Sequence, residues 1–103
     1  MAIDHCVFFK RNSDVSDAQV DEVMGLLASI TQRLDGATDF RASRNESPEG
    51  FDAGYQDGFI VRFVDAEARD IYLVDEEHQR AGAQLVGLCE NGTDGLLVFD
   101  LVV

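Results

Sequence analysis

Two stretches near the ends of the chain are apolar on both faces, and they constrain the fold more than any other feature. The stretch Ile3 to Lys10 alternates in the manner of a strand and also places Cys6 and Phe8 on its second face. The stretch Leu96 to Val103 is almost wholly apolar and rich in β-branched residues. A strand that is apolar on both faces needs cover on both. We therefore predict two strands buried on both faces, the first of them central.

Helical and extended patterns alternate between these two strands. Ser16 and Gln19 have the spacing of a capping box, with apolar residues at helical spacing behind them. Gly36 is available as a left-handed cap at the end of that helix. Asp65 and Asp75 are suitable N-caps for two later helices. The predicted ranges are 17–34 for the first helix, 38–45 and 57–64 for the inner strands, and 65–73 and 75–87 for the later helices.

The predicted order is that of an α+β, ferredoxin-like β-α-β-β-α-β fold, with a four-stranded antiparallel sheet and helices on one face. The second face is also apolar, because it carries Cys6, Phe8, Ile60, Leu97 and Phe99. A chain of 103 residues has too few helices to cover it, and chains this small bury their apolar surface only marginally. We therefore predict a single domain, residues 1–103, that pairs as a homodimer into a dimeric α/β barrel.

Composition restricts the partners of the chain. The formal net charge is −12, from 8 basic and 20 acidic residues, and such a surface repels nucleic acid, anionic membranes and anionic ligands. No segment approaches the roughly 20 apolar residues that span a bilayer. The first residues lack the pattern of a signal peptide, so we expect a cytoplasmic protein. Cys6 and Cys89 are then expected to be reduced thiols.

A series of short motifs follows the predicted elements in order. They are the opening strand Ile3 to Lys10, the turn Ser47-Pro48-Glu49-Gly50, Gly54-Tyr55, Gly58-Phe59 and the stretch from Tyr72 to His78. Together they resemble the stress-responsive α/β barrel (Dabb) family of dimeric ferredoxin-like proteins, over nearly the whole chain. The resemblance implies the same barrel fold. Members of this family differ in activity.

One relative with a known reaction, olivetolic acid cyclase, is similar in the placement of His5, Tyr72 and His78. That resemblance implies an aldol-type cyclisation in which His78 is the general base and Tyr72 is a hydrogen-bond donor, with no cofactor or metal. The chemistry is reasonable, because a base near neutral pKa suits removal of a proton between two carbonyls. A phenol can stabilise the enolate that forms.

The same residues also have structural explanations. Tyr72 near the end of an amphipathic helix suits the core, and a lone histidine such as His5 or His78 is more often structural than catalytic. A ligand pocket and plain core packing explain the apolar residues around them equally well. The predicted pocket-lining residues are His5, Val7, Phe9, Met24, Leu27, Phe59 and Val61.

Two departures from the proteins that the chain resembles favour one functional hypothesis over the other. Asp57 stands where the cyclase has a histidine, and Asp75-Glu76 stands where the family often has His-Pro. We therefore favour a non-catalytic or small-ligand-binding domain that takes a small apolar or polyketide-like ligand, with a cofactor-independent cyclase or lyase as the alternative. A divalent-cation site is a third possibility, because Glu77 and His78 follow these acids. Adjacent carboxylates usually form a solvated face, so we predict no metal site.

Overall fold

The computed structural model describes residues 1–103 and contains four strands and three helices. The elements are β1 (Ile3–Phe9), α1 (Asp17–Arg33), β2 (Ala37–Arg44), β3 (Asp57–Phe63), α2 (Ala66–Val74), α3 (Glu76–Leu88) and β4 (Leu96–Val102). A single 3₁₀ turn, Gly92–Gly95, precedes β4. The order confirms the predicted ferredoxin-like arrangement, with its second helix divided into α2 and α3.

The four strands form one antiparallel sheet in the order β2-β3-β1-β4. Strand β1 is central, as predicted, and pairs with β3 on one side and β4 on the other. The register places His5 opposite Val61 of β3 and Asp100 of β4. These three residues lie on the face covered by the helices, because side chains alternate along a strand.

Helix α1 packs its apolar face on the sheet. The predicted capping box is present: the Ser16 hydroxyl accepts from the Gln19 N–H at 3.2 Å, and Gln19 Oε1 accepts from the Ser16 N–H at 2.9 Å. The buried residues of the helix recur at helical spacing and join one continuous core with the sheet. They are Val20, Val23, Met24, Leu27 and Ile30, and the polar Thr31 of the same helix is also buried.

The predicted cap at Gly36 is wrong. Helix α1 ends at Arg33, and Leu34 is already extended, with φ −94° and ψ 119°. Gly36 is required for a different reason: a Cβ there would overlap the Cβ of Ala68. The glycine therefore allows α2 to approach the β2 end of the sheet closely.

The prediction that the last strand is buried on both faces is wrong for the single chain. Strand β4 lies at the sheet edge, and Leu97, Phe99 and Leu101 are 42%, 43% and 52% exposed. They belong to the face without helices, here called the open face. Its apolar residues are Cys6, Phe8, Ile60, Leu97, Phe99 and Leu101. The strand has the composition of a buried one, but no part of the same chain covers it.

Candidate functional site

The structure brings together the three polar residues that the sequence singled out. The Tyr72 ring is fully buried, its centroid 4.0 Å from that of His78 and 6.0 Å from that of His5. These side chains come from three elements, β1, α2 and α3, and are here called the His–Tyr–His cluster. Their functional role stays a prediction, but their proximity makes a shared role sterically possible.

The break between α2 and α3 creates the contact between Tyr72 and His78. Asp75 is extended, and its carboxylate accepts from the His78 N–H at 3.0 Å, which caps α3. Arg33 of α1 donates to Asp75 at 2.8 Å and pairs with Glu77 at 3.0 Å. The pairing with Arg33 lowers the pKa of Asp75, so its carboxylate remains an acceptor for the cap. The new helix direction turns His78 back over Tyr72.

Two polar atoms of the cluster have no hydrogen-bond partner. They are the Tyr72 hydroxyl and His78 Nδ1, and both are buried. A buried polar atom left unpaired costs about 1–3 kcal/mol relative to the hydrated group. Most buried polar atoms in proteins are paired, so two unpaired atoms in neighbouring rings require an explanation. A ligand that hydrogen-bonds to both would remove the cost.

The surroundings of the cluster favour its neutral forms. Burial, with a smaller contribution from the Asp75 charge, raises the pKa of Tyr72 well above its ordinary value. Burial also lowers the pKa of His78, and the Leu73 backbone partly opposes that change. Tyr72 is therefore a phenol that donates a hydrogen bond, and His78 is a neutral imidazole at neutral pH.

The third member, His5, is held by a charged pair that sequence analysis missed. Its Nδ1 lies 2.8 Å from Asp100 Oδ1, and Arg69 Nη1 donates to Asp100 Oδ2 at 2.9 Å. With a carboxylate at Nδ1, a neutral His5 carries its proton there and leaves Nε2 as the acceptor. The sequence did contain a signal for this contact: Asp100 is the one charged residue in an otherwise apolar strand.

The other predicted pocket residues lie in the core and are closely packed. Val7, Phe9, Met24, Leu27, Phe59 and Val61 are each at most 9% exposed. Phe9 and Met24 line a cavity of about 430 Å³ between α1 and the β2–β3 end of the sheet. A wider groove of about 1030 Å³ extends over the open face, and Phe59 is among the residues that line it. Neither space is lined by a member of the His–Tyr–His cluster.

A second polar cluster, built around the buried Asp57 and the largely buried Arg11, lies at the opposite end of the covered face. Arg11 donates to both carboxylate oxygens of Asp57 at 2.9 and 2.7 Å, and to Asp17 at 2.7 Å. Arg44 approaches both acids at 3.8 Å. Hydrogen bonding to Asp57, more than to Asp17, raises the pKa of Arg11. We call these four residues the Arg–Asp cluster.

The acids considered as metal ligands are dispersed. Asp57 is bound by Arg11, and Asp75 and Glu77 are bound by Arg33. No group of three or more His, Cys, Asp or Glu side chains comes together in an arrangement that could hold a metal ion. None of the three helices has the length and apolar composition needed to cross a bilayer.

The sequence matches the model of a known protein family over nearly its whole length. The model of the stress-responsive A/B barrel domain family matches residues 3–103. The chain belongs to this family. The resemblance first noted in the short motifs of the sequence is thereby confirmed. No curated protein is significantly similar to this Dabb chain in sequence.

Solved structures agree with the family assignment. A dimeric ferredoxin-like protein of unknown function from Jannaschia sp. CCS1 is 37% identical, with a TM-score of 0.94 and complete coverage of both chains. A protein from Arabidopsis thaliana is 21% identical, with a TM-score of 0.86 over 98% of this chain and 94% of its own. The hydroxynitrile lyase of Passiflora edulis is 13% identical, with a TM-score of 0.86 over 99% and 93%. The last two likenesses concern the fold alone.

Proposed function

We propose that this Dabb chain is a small-ligand-binding domain whose ligand contacts the His–Tyr–His cluster. The observation that carries the proposal is the pair of buried, unpartnered polar atoms, the Tyr72 hydroxyl and His78 Nδ1. A small, largely apolar molecule with a carbonyl or hydroxyl oxygen suits these groups and the surrounding apolar core. The net charge of −12 disfavours an anionic ligand.

Entry to this site would occur beside His78. The His78 side chain is only half-buried, so the cluster reaches the protein surface at the junction of α2 and α3. Next to it, Val74 is 72% exposed and Leu73 is 39% exposed. Because the space around Tyr72 is filled by packing, binding requires that α2 or α3 move outward. Such local opening is common in ligand-binding elements.

The domain is proposed to act as a homodimer. Half-exposed Leu97, Phe99 and Leu101 form a continuous apolar strip with Phe8 and Ile60 on the open face. Apolar surface of this kind marks an interaction site, and two-fold pairing of identical faces covers both copies at once. The similar Jannaschia protein is described as dimeric.

A second candidate function is catalysis, a cofactor-independent cyclase or lyase reaction. It is favoured by the Arg69–Asp100–His5 connection, which fixes one imidazole beside Tyr72 while the neutral His78 lies on the other side. In this scheme His78 takes a proton from a carbon between two carbonyls, one carbonyl becomes an enolate, and Tyr72 donates a hydrogen bond to the enolate oxygen.

Binding is tested by native mass spectrometry of protein purified from its own cells, followed by titration with a panel of aromatic and aliphatic β-dicarbonyl compounds. The matched variants are Tyr72→Phe and Tyr55→Phe, because the chain has only these two tyrosines. We expect Tyr72→Phe to weaken binding about tenfold, the effect of one hydrogen bond, and Tyr55→Phe to leave it unchanged. Equal affinities in both variants would contradict a site at the cluster.

The catalytic alternative is tested with the same β-dicarbonyl compounds in heavy water. A base that removes the proton between the carbonyls returns a deuteron, and NMR follows the loss of that proton signal. Exchange above the buffer rate that disappears in His78→Gln would support proton abstraction. Binding without accelerated exchange would contradict the catalytic alternative and support the ligand-binding function.

A further inference from the structure

The segment that joins β2 to β3 exposes a large aromatic residue. Phe51, within residues 45–56, is 88% exposed, the highest value among the large hydrophobic residues. Isolated exposed hydrophobics are common and need no explanation by themselves. Phe51 differs because its loop is held in one shape and its position is continuous with a wide apolar groove.

Internal hydrogen bonds hold this loop. Asn45 Nδ2 donates to Asp52 Oδ2 at 3.1 Å, and Asn45 Oδ1 accepts from the Ser47 N–H at 2.9 Å. Asp52 Oδ1 also accepts from the Gly54 N–H at 2.8 Å. The backbones of Asn45 and Gln56 are joined at 2.8 Å across the base of the loop. Because the loop is already ordered, a contact made by Phe51 loses little conformational entropy.

The backbone around Phe51 is unusual. Gly50 and Gly54 have φ values of +77° and +88°, which glycine adopts easily. Ala53 has φ +54°, a left-handed conformation that costs about 1–2 kcal/mol for a residue with a Cβ. Such strain persists where surrounding contacts impose it and is concentrated at functional segments. The chain thus accepts a local cost in a loop that leaves an aromatic ring in solvent.

The loop and the open face enclose one groove. Phe51 and Tyr55 line the loop side, and Phe8, Leu97 and Phe99 line the sheet side of the same space of about 1030 Å³. The loop therefore rises on the side of the sheet that carries no helices. Phe51 is continuous with the surface that pairs in the proposed dimer.

Charge also favours a second copy of this chain as the occupant of the groove. The chain as a whole repels itself, with a net charge of −12. Along the groove, however, Arg41 and Arg44 accompany Glu49 and Asp52, so this part of the surface has charges of both signs. A two-fold contact places the same patch on both partners, and a mixed patch can pair with itself.

We propose that each subunit of the homodimer extends its 45–56 loop over the partner and buries Phe51 between the two subunits. The inference rests on the proposed homodimer and assigns it a specific anchor. Two symmetric loops each contribute one aromatic ring, a residue class that is enriched at protein–protein interfaces. Phe51 thereby extends the sheet-to-sheet contact beyond the strands.

The experiment uses the absence of tryptophan from the chain. Phe51→Trp introduces a single fluorophore in the loop, and Val74→Trp places the matched control at a residue that is 72% exposed on α2. We expect the Phe51→Trp emission to be blue-shifted and protected from an aqueous quencher at high protein concentration. On dilution it should approach the emission of Val74→Trp. Phe51→Ser, compared with Val74→Ser by analytical ultracentrifugation, should weaken dimerisation at least about tenfold.

The outcomes separate this inference from the dimer itself. A stable dimer in which Phe51→Trp is as quenchable as Val74→Trp, and in which Phe51→Ser pairs like the parent, overturns the role of Phe51 alone. A parent protein that stays monomeric at all concentrations overturns the dimer and the loop contact together. Protection that is independent of concentration in a monomer also overturns the inference, because the ring would then be covered by its own chain.

Discussion

Two polar clusters with buried members lie at opposite ends of the helix-covered face, and they differ in whether the buried groups have hydrogen-bond partners. In the Arg–Asp cluster, Arg11 uses three nitrogen atoms on Asp57 and Asp17, at 2.7 to 2.9 Å. In the His–Tyr–His cluster, the Tyr72 hydroxyl and His78 Nδ1 have no partner at all. Both clusters therefore contain buried polar groups, but only in the Arg–Asp cluster are those groups hydrogen-bonded.

The difference indicates separate roles. A polar network with every bond made stabilises one conformation, whereas an incomplete one costs stability. Asp57 occupies the position where olivetolic acid cyclase, the relative resembled in sequence, has a histidine. Here that position is used by an ion pair with Arg11. We therefore propose that the Arg–Asp end stabilises the fold and that the His–Tyr–His end contacts the ligand.

The largest expected effect comes from breaking the complete cluster. Asp57→Ala leaves the Arg11 guanidinium buried without its main partner, since its side chain is only 13% exposed. Removing one partner of a buried ion pair costs about 3–5 kcal/mol of unfolding free energy. Urea unfolding of parent and variant at one fixed protein concentration measures the loss, because dimerisation makes stability depend on concentration.

The matched control removes both charges. The double variant Arg11→Met with Asp57→Ala leaves no unpaired buried ion, so we expect it to be more stable than Asp57→Ala alone. A single variant that unfolds like the parent would show that water reaches Arg11. The proposal that the Arg–Asp cluster stabilises the fold would then be contradicted, and with it the contrast between the two clusters.

The next effect has the opposite sign. Tyr72→Phe removes a buried hydroxyl that has no partner and keeps the ring that packs on Phe63 and His5. We expect a gain of about 1 kcal/mol in unfolding free energy without ligand, because the cost of the unpaired group disappears. Tyr55→Phe in the loop is the control and should change little. A loss of stability in Tyr72→Phe would mean that the hydroxyl is satisfied in solution.

Sequence patterns predicted most of the fold, and the resemblance to olivetolic acid cyclase singled out the three residues of the His–Tyr–His cluster. Strand alternation and the caps at Ser16, Asp65 and Asp75 are local signals, so they can be read from neighbouring residues. The Asp100 partner of His5 is 95 residues away, and only the strand register brings the two together. The unpaired state of the cluster is likewise a property of packing, which no local pattern encodes.

A smaller effect follows from the lowered pKa of His78. Below its ordinary pKa of 6.5 the unfolded chain takes up a proton at this site more readily than the folded chain. Stability from this residue is therefore complete above about pH 6.5 and is lost as the pH falls through the folded pKa. Urea unfolding of the parent and of His78→Gln, compared between about pH 7.5 and 5.5, measures the contribution of His78 to this pH dependence.

We expect the parent to lose more stability than His78→Gln on acidification. The carboxylates whose pKa values are lowered, such as Asp4 and Asp75, stay ionised in this interval and affect both proteins alike. Because His78 is partly exposed, solvent reduces this difference in stability between parent and His78→Gln below the effect of Tyr72→Phe. If the unfolding free energies of the parent and of His78→Gln changed equally with pH, the His78 imidazole would not be desolvated in the folded protein.

The smallest effect is expected at the outer residue of the Arg–Asp cluster. Arg44 is 54% exposed and lies 3.8 Å from both Asp17 and Asp57, so it contacts the same acids as Arg11 but from solvent. Arg44→Gln should change the unfolding free energy by no more than about 0.5 kcal/mol, and the change should shrink in high salt. Arg11→Gln is the comparison and should cost several-fold more. Equal losses in the two variants would mean that total charge, rather than completed hydrogen bonds to buried Asp57, holds this end of the sheet.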